Sequence, residues 1–225
     1  MKKYFYFFLA MAMLFTTACA YEEEEPVRYV FSGSDDSKVD EEIMQQVLAH
    51  QMGYRVGEVT DEGWESTWMQ MRYTIPEGAI SYTREEMDKE ILSLYEEYDL
   101  GYEAQQAILE ETRYEMFVET PEKDFQLFVY VELSDPSTTM DEYINGLELQ
   151  WSQFDIWEVT TISRDETEKI AEKEFRHVVF QCEYEGIVLY EEMWLRRIGD
   201  RMIRIDASHI NPEVREQYMS GFAPN

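Results

Sequence analysis

Hydrophobic positions along this chain alternate between two periods, and the changes of period divide it into elements. "VDEEIMQQVLAHQM", 39–52, gathers Ile43, Met44, Val47 and Leu48 on one side of a helix that Gly53 ends. "YRVGEVTDEG" and "WESTWMQMRYTIPEG" then read as extended segments. In the second, Met69, Met71, Tyr73 and Ile75 alternate, which predicts one buried strand face with Trp64, Trp68 and Arg72 on the other. "TREEMDKEILSLYEEYDLG" opens with Thr83 and Glu86 at capping-box spacing. Met87, Ile91, Leu94, Tyr95 and Tyr98 continue it at helical spacing; Gly101 stops it and "YEAQQAILEET" resumes a helix.

"YEMFVE", "TPEKD" and "FQLFVYVEL" predict a β-hairpin. Its second strand is apolar on both faces, with Phe125, Leu127, Val129 and Val131 on one and Phe128 and Tyr130 on the other, so it is expected to be covered on both sides. "TMDEYINGLELQW" carries a second capping box, Thr139 with Glu142, and a stripe of Met140, Tyr143, Ile144, Leu147 and Trp151. After "IWEVTTI" comes the strongest strand signal, 168–208, which Glu185-Gly186 and Gly199-Asp200 divide into a three-strand meander. "NPEVREQYMSGF" predicts a closing helix with Asn211 as its cap and Pro212 in its first turn. The economical packing of these elements is α+β: one domain, 39–225, with an antiparallel sheet and helices on both faces, an α/β/α sandwich.

The opening residues follow other rules. Lys2 and Lys3 precede a short apolar run, 4–15, and small residues follow, which is the layout of a secretory signal peptide. The run falls short of the ~20 apolar residues that a bilayer span needs. Two cleavages fit. Ala18-Cys19-Ala20 suits ordinary signal peptidase, cutting before Tyr21 and removing 1–20. The leader also resembles that of bacterial lipoproteins, with 1–18 removed and diacylglycerol placed on Cys19. Two acyl chains on one glycerol make a stable anchor, where one holds only marginally. Residues 19–38 have little to bury and read as an acidic, flexible tether.

Charge narrows the function. The formal net charge is -29, and losing Lys2 and Lys3 with the leader makes it more negative still. Nucleic acid is excluded as a partner, because affinity for it comes from neutralising phosphates. Such a surface attracts divalent cations weakly, or a basic partner. With Cys19 lipidated or removed, Cys182 is the one cysteine left, which excludes a disulfide framework and a cysteine-rich zinc site.

The segments "YTIPEG", "FQLFVYVE" with the helix "TMDEYINGLELQW", and "EKIAEKEFRHVVFQCEYEGIVLYEEMWLRRIGDRMIRIDAS" with its final helix resemble, in order and strand chemistry, the PsbP-like family over about 54–222. The family's fold occurs in a photosystem accessory protein, in a Ran-binding nuclear protein and in bacterial lipoproteins. The resemblance implies a protein that docks on larger assemblies and does not catalyse. The helices at 84–112 are an insertion relative to the plainest family pattern. No metal-ligating residue of the photosystem protein has a match here.

Chemistry is sparse. His50, His177 and His209 show no metal-ligand spacing. His177 and Cys182 are five apart on one strand and so fall on opposite faces, which disfavours a nucleophile–base dyad. The two turns set registers: His177 opposite Trp194, Trp194 opposite Ile205, and Cys182 opposite Leu189. His177 is then a packed, hydrogen-bonded residue and Cys182 a core residue. No G-x-S-x-G, Walker loop, G-x-G-x-x-G or H-E-x-x-H occurs. "SDDSKVDEE", 34–42, lacks the glycine and spacing of an EF-hand.

Two groups remain as partner or anion sites. Arg196, Arg197, Arg201 and Arg204 cluster in sequence and would seat a carboxylate or phosphate; the competing reading is local pairing, with Arg197 and Arg204 on one face beside Glu191 and Asp206. Trp64 and Trp68 are either interface anchors or core. The expectation is an exported, lipid-anchored, non-enzymatic binding or assembly module at the outer face of a bacterial membrane, with an envelope protein as partner and no cofactor. A carboxylate-dependent extracytoplasmic hydrolase is the alternative, and an extracellular cation buffer a third.

Overall fold

In the computed structural model the described residues are 53–89, 112–152 and 158–225. The leader, Cys19, the tether, the helix at 39–52, most of the inserted helices at 84–112 and the start of "IWEVTTI" lie outside them.

Eleven strands form two antiparallel sheets among the described residues. The larger has seven: β4 (Ile80–Ser81), β5 (Thr112–Glu119), β6 (Phe125–Leu133), β7 (Glu158–Ile170), β8 (Lys173–Tyr184), β9 (Ile187–Ile198) and β10 (Arg201–His209). Their spatial order is β4-β5-β6-β10-β9-β8-β7. The smaller sheet, in the order β1-β2-β3-β11, consists of β1 (Glu58–Thr60), β2 (Gly63–Ser66), β3 (Met71–Thr74) and β11 (Phe222–Pro224). A helix, α1, opens at 84; α2 spans Met140–Ser152 and α3 Pro212–Met219.

The expected sandwich with helices on both faces is therefore wrong. One face of the large sheet does carry a helix: Ile144, Leu147 and Trp151 of α2 pack on Val178, Phe180, Cys182, Leu189, Met193, Leu195 and Met202. The other face carries the small sheet, with α3 beside it. Trp64, Met71 and Tyr73 of the small sheet, with Trp68 from the turn between two of its strands, meet Leu127, Val129, Val131, Trp194, Ile203 and Ile205. The fold is mostly β. The cause lies in "WESTWMQMR", which reads as one strand but reverses at Thr67–Gln70, with Gln70 at φ 56. The Ser66 hydroxyl accepts from the Met69 amide at 3.1 Å and closes that reversal. Trp64 then lies opposite Tyr73 and Ser66 opposite Met71, so Trp64 shares the buried face instead of opposing it. Gly63 permits the close approach: a Cβ there would sit 1.9 Å from the Tyr73 carbonyl oxygen.

Elsewhere the pattern holds. The Thr139 hydroxyl accepts from the Glu142 amide at 3.2 Å, and the Glu142 carboxylate accepts from the Thr139 amide at 2.8 Å, which completes the box that starts α2. The Asn211 side chain accepts from the Glu213 amide and starts α3. The turns at Glu185-Gly186 and Gly199-Asp200 join β8 to β9 and β9 to β10 in the inferred registers: His177 faces Trp194, Trp194 faces Ile205 and Cys182 faces Leu189. The strand expected at "IWEVTTI" runs on to Ile170 as β7 and joins the meander as a fourth strand, because Ala171 and Glu172 also form a two-residue turn, at φ 49 and 65. No helix among the described residues is long and apolar enough to cross a membrane.

Candidate functional site

Strands β9 and β10 run through the middle of the large sheet and place ionisable side chains on both of its faces. The alternation of a strand decides which face each takes. Glu192, Trp194, Arg196, Arg201 and His209 share the face toward the small sheet; Glu191, Met193, Arg197, Arg204, Asp206 and Ser208 share the face toward α2.

On the first face one carboxylate gathers three cations or donors. Glu192 Oε2 lies 2.8 Å from His177 Nε2, and Glu192 Oε1 lies 2.7 Å from His209 Nε2. Arg215 of α3 donates to Glu192 Oε2 at 3.0 Å and to Glu168 Oε2 at 3.3 Å. Trp194 Nε1 donates to the same Glu168 oxygen at 2.8 Å. The His177 ring stacks on Trp194 with centroids 4.7 Å apart, and the Arg215 guanidinium lies over the Trp194 ring. Burial alone would raise the Glu192 carboxyl, but the hydrogen bonds of His177 and His209 and the charge of Arg215 outweigh it and hold it well below the usual range. The group ties β8, β9, β10, β7 and α3 together, and each Glu192 oxygen is engaged by at least one of its members.

The second face holds more acid than base. Arg204 Nη2 donates to Asp206 Oδ2 at 2.6 Å, and the Tyr130 hydroxyl donates to the same oxygen at 2.7 Å. The Arg204 guanidinium lies over the Tyr130 ring, 4.7 Å from its centroid. The Tyr143 hydroxyl of α2 donates to Glu132 Oε1 and accepts from Arg204 Nη1 at 3.4 Å. Ser208 Oγ donates to Glu191 Oε2 at 2.6 Å. Glu132, Glu191 and Asp206 are only 3%, 2% and 5% exposed. Glu132 Oε2 and Glu191 Oε1 have no hydrogen-bond partner among the described residues. Burial raises Glu132 to about 7, against Arg204 and the Tyr143 hydrogen bond. Burial raises Glu191 to about 8, against the Ser208 hydrogen bond and Arg204, with the Asp206 charge adding to the rise.

The residues singled out from sequence are thus dispersed. Arg204 is the buried partner of Asp206. Arg197 donates to the Asp135 carbonyl at 2.6 Å. Arg196 and Arg201 point to the opposite face from both, so the four guanidiniums do not converge. Trp64 and Trp68 are core: Trp64 Nε1 donates to the buried Glu115 at 3.2 Å, and Trp68 meets Tyr54 edge-on at 5.2 Å. Arg201 lies over that same Tyr54 ring, which brings it near Trp68. Cys19 lies outside the described residues.

The Glu192 group was hidden from motif searches because its members are far apart in sequence. The register contained it: with His177 opposite Trp194 and Glu192 opposite Ala207, both histidines fall diagonal to Glu192 on one face. Among the described residues no three His, Cys, Asp or Glu side chains are placed to hold a metal ion.

No family model and no characterised protein matches the sequence. Among solved structures the chain is similar to cyanobacterial PsbP from Synechocystis sp. PCC 6803, with 11% identity over 78% of this chain and 99% of that one and a TM-score of 0.46. That is a member of the family whose fold the strand chemistry resembles. The T6SS immunity protein TplEi of Pseudomonas aeruginosa, solved with a peptide, is similar at 7% identity over 75% of this chain and 97% of that one, with a TM-score of 0.40. A Bacteroides thetaiotaomicron protein matches at 7% identity over 76% of this chain and 48% of its own, with a TM-score of 0.36.

Proposed function

We propose that the chain is a non-enzymatic binding or assembly module that works outside the cytosol, held at the outer face of a bacterial membrane through a lipid on Cys19. The observation that carries the non-enzymatic part is the engagement of both Glu192 oxygens by cross-element donors. Both of its oxygens are met by His177, His209 and Arg215, so the one site among the described residues that combines imidazoles with a carboxylate serves cohesion between elements. A general base needs a lone pair within reach of a substrate proton. The leader, the acidic tether and the net charge of -29 support the address and favour a basic envelope partner.

The hydrolase alternative draws on Glu191 and Asp206, a raised acid near a second carboxyl that pairs with Arg204 on one sheet face. Their burial beneath α2 sets it second. Capture with the tethered domain from envelope extract tests the first reading: a stoichiometric partner is expected, lost in high salt. Repeated recovery of nothing counts against it. Hydrolysis of an envelope polysaccharide that disappears in Glu191→Gln would establish the alternative instead.

A further inference from the structure

The acids facing α2 do more than fill space. From β6 come Tyr130 and Glu132, from β10 Arg204, Asp206 and Ser208, from β9 Glu191, from β8 the Cys182 thiol and from α2 the Tyr143 hydroxyl. Tyr114 of β5 lies against the Tyr130 ring. Along the same face Gln126, opposite Ser208, donates to Glu119 at 2.8 Å; Glu119 is also met by Lys123 at 3.1 Å and Tyr82 at 2.6 Å, so its charge is answered locally. Arg197, farther along β9, is turned to the Asp135 carbonyl.

Arg204 is the cation at the centre, and Asp206 occupies it. If Glu132 and Glu191 both ionised in place, two buried negative charges would stand without a counterion, each costing several kcal/mol in a dry interior. Their second oxygens say the same thing in geometry: Glu132 Oε2 and Glu191 Oε1 meet no donor among the described residues. Glu191 is flanked on its strand by Leu189 and Met193, both of which belong to the apolar cluster under α2. Glu132 is bonded to α2 through Tyr143. α2 packs on that cluster and is also joined to β8 and β7 by Arg176–Asp141 at 3.5 Å and Arg164–Glu148 at 2.8 Å, so its lifting would part these pairs and open the cluster to water.

We propose that the contact between α2 and the seven-stranded sheet is a proton-operated latch, closed while Glu132 and Glu191 are neutral and loosened as they ionise. Lifting α2 returns both carboxyls to water and to ordinary acidity. Each then releases its proton more readily in the open form, so alkalinisation draws the equilibrium toward opening. The opening constant rises about tenfold per pH unit for each carboxyl between its ordinary and its buried value. The raised positions given above place most of that rise below about pH 8, with a plateau beyond. The element that moves has two discrete positions, on the sheet and off it, which a switch requires.

Hydrogen exchange on the full chain tests this, read as protection factors so that the chemical rate divides out. Between about pH 5.5 and about pH 8, amides of α2 should lose at least about tenfold in protection, while those of α3 change little. Glu132→Gln/Glu191→Gln, isosteric and unable to ionise, should abolish the pH-dependent part. Unchanged α2 protection in the unaltered chain would overturn the latch, whether or not the double variant folds. Equal loss in α2 and α3 would overturn it too, since that is global unfolding, and so would an unaltered pH profile in the double variant.

Discussion

Glu191 and Glu192 are consecutive on β9, yet their carboxyls lie on opposite faces of the sheet and are pushed in opposite directions. Among the described residues Glu191 has one hydrogen bond, from Ser208, and it is raised to about 8 by burial. Glu192 is met by two imidazoles and a guanidinium and is held well below the carboxylate range. Nothing in the local sequence distinguishes them; the cross-strand neighbours do.

This opposition sets the pH profile of stability. Glu192 is depressed in the folded state, so its contribution is present above about pH 4.5 and is lost as pH falls through its native value. Glu132 and Glu191 are raised, so theirs is complete below about pH 4.5 and is lost as pH rises through about 7 and about 8 respectively. Melting temperatures across the range should peak on the acid side of neutrality and decline toward pH 8. Glu191→Gln should flatten the alkaline decline and leave the acid limb in place.

Breaking the central ion pair should cost far more than replacing it. Arg204→Met leaves Asp206 buried beside Glu132 and Glu191 and is expected to lose about 3–5 kcal/mol in denaturant titration. Arg204→Met with Asp206→Leu removes both charges and should recover most of that loss. Equal losses in the single and double variants would show that shape, not charge, governs the site.

Gly63→Ala should destabilise by about 2 kcal/mol or more, because the new methyl meets the Tyr73 carbonyl of the paired strand and backbone must shift. A melting temperature within a degree or so of the parent would contradict the hairpin register.

Cys182 should be inert in the folded protein. It is buried under α2, and burial, then the nearby Glu191, pushes its thiol well above the ordinary value. A thiol reagent should label it on unfolding in denaturant and leave it unlabelled in native buffer at about pH 7.

The fold was legible where one residue type forces one backbone shape. Glycine at Gly186 and Gly199 marked two turns and so fixed the register of three strands. The capping boxes at Thr83 and Thr139 placed two helix starts. The turn at Ala171-Glu172 escaped because two ordinary residues adopt the left-handed conformation there, and no composition signal marks that. Gln70 hid the β2–β3 reversal in the same way, and with it the small sheet that replaces the expected second helical layer. β11 is three residues of "FAP" whose pairing with β3 is wholly tertiary. For the candidate site, pairing of Arg204 with Asp206 and burial of His177 followed from strand parity. The convergence of Glu168 and Glu192 on Arg215 did not, since it depends on how α3 docks and on the bulges in β7.

The address of the protein bears on everything proposed for it, and intact mass of the chain extracted from membranes tests it most directly. The expected mass is that of a chain beginning at Cys19 and carrying diacylglycerol, with Cys19→Ala moving the protein into the medium. A chain beginning at Tyr21 would keep the export and remove the anchor. A full-length chain still beginning at Met1 and recovered from the cytosol would contradict the proposal.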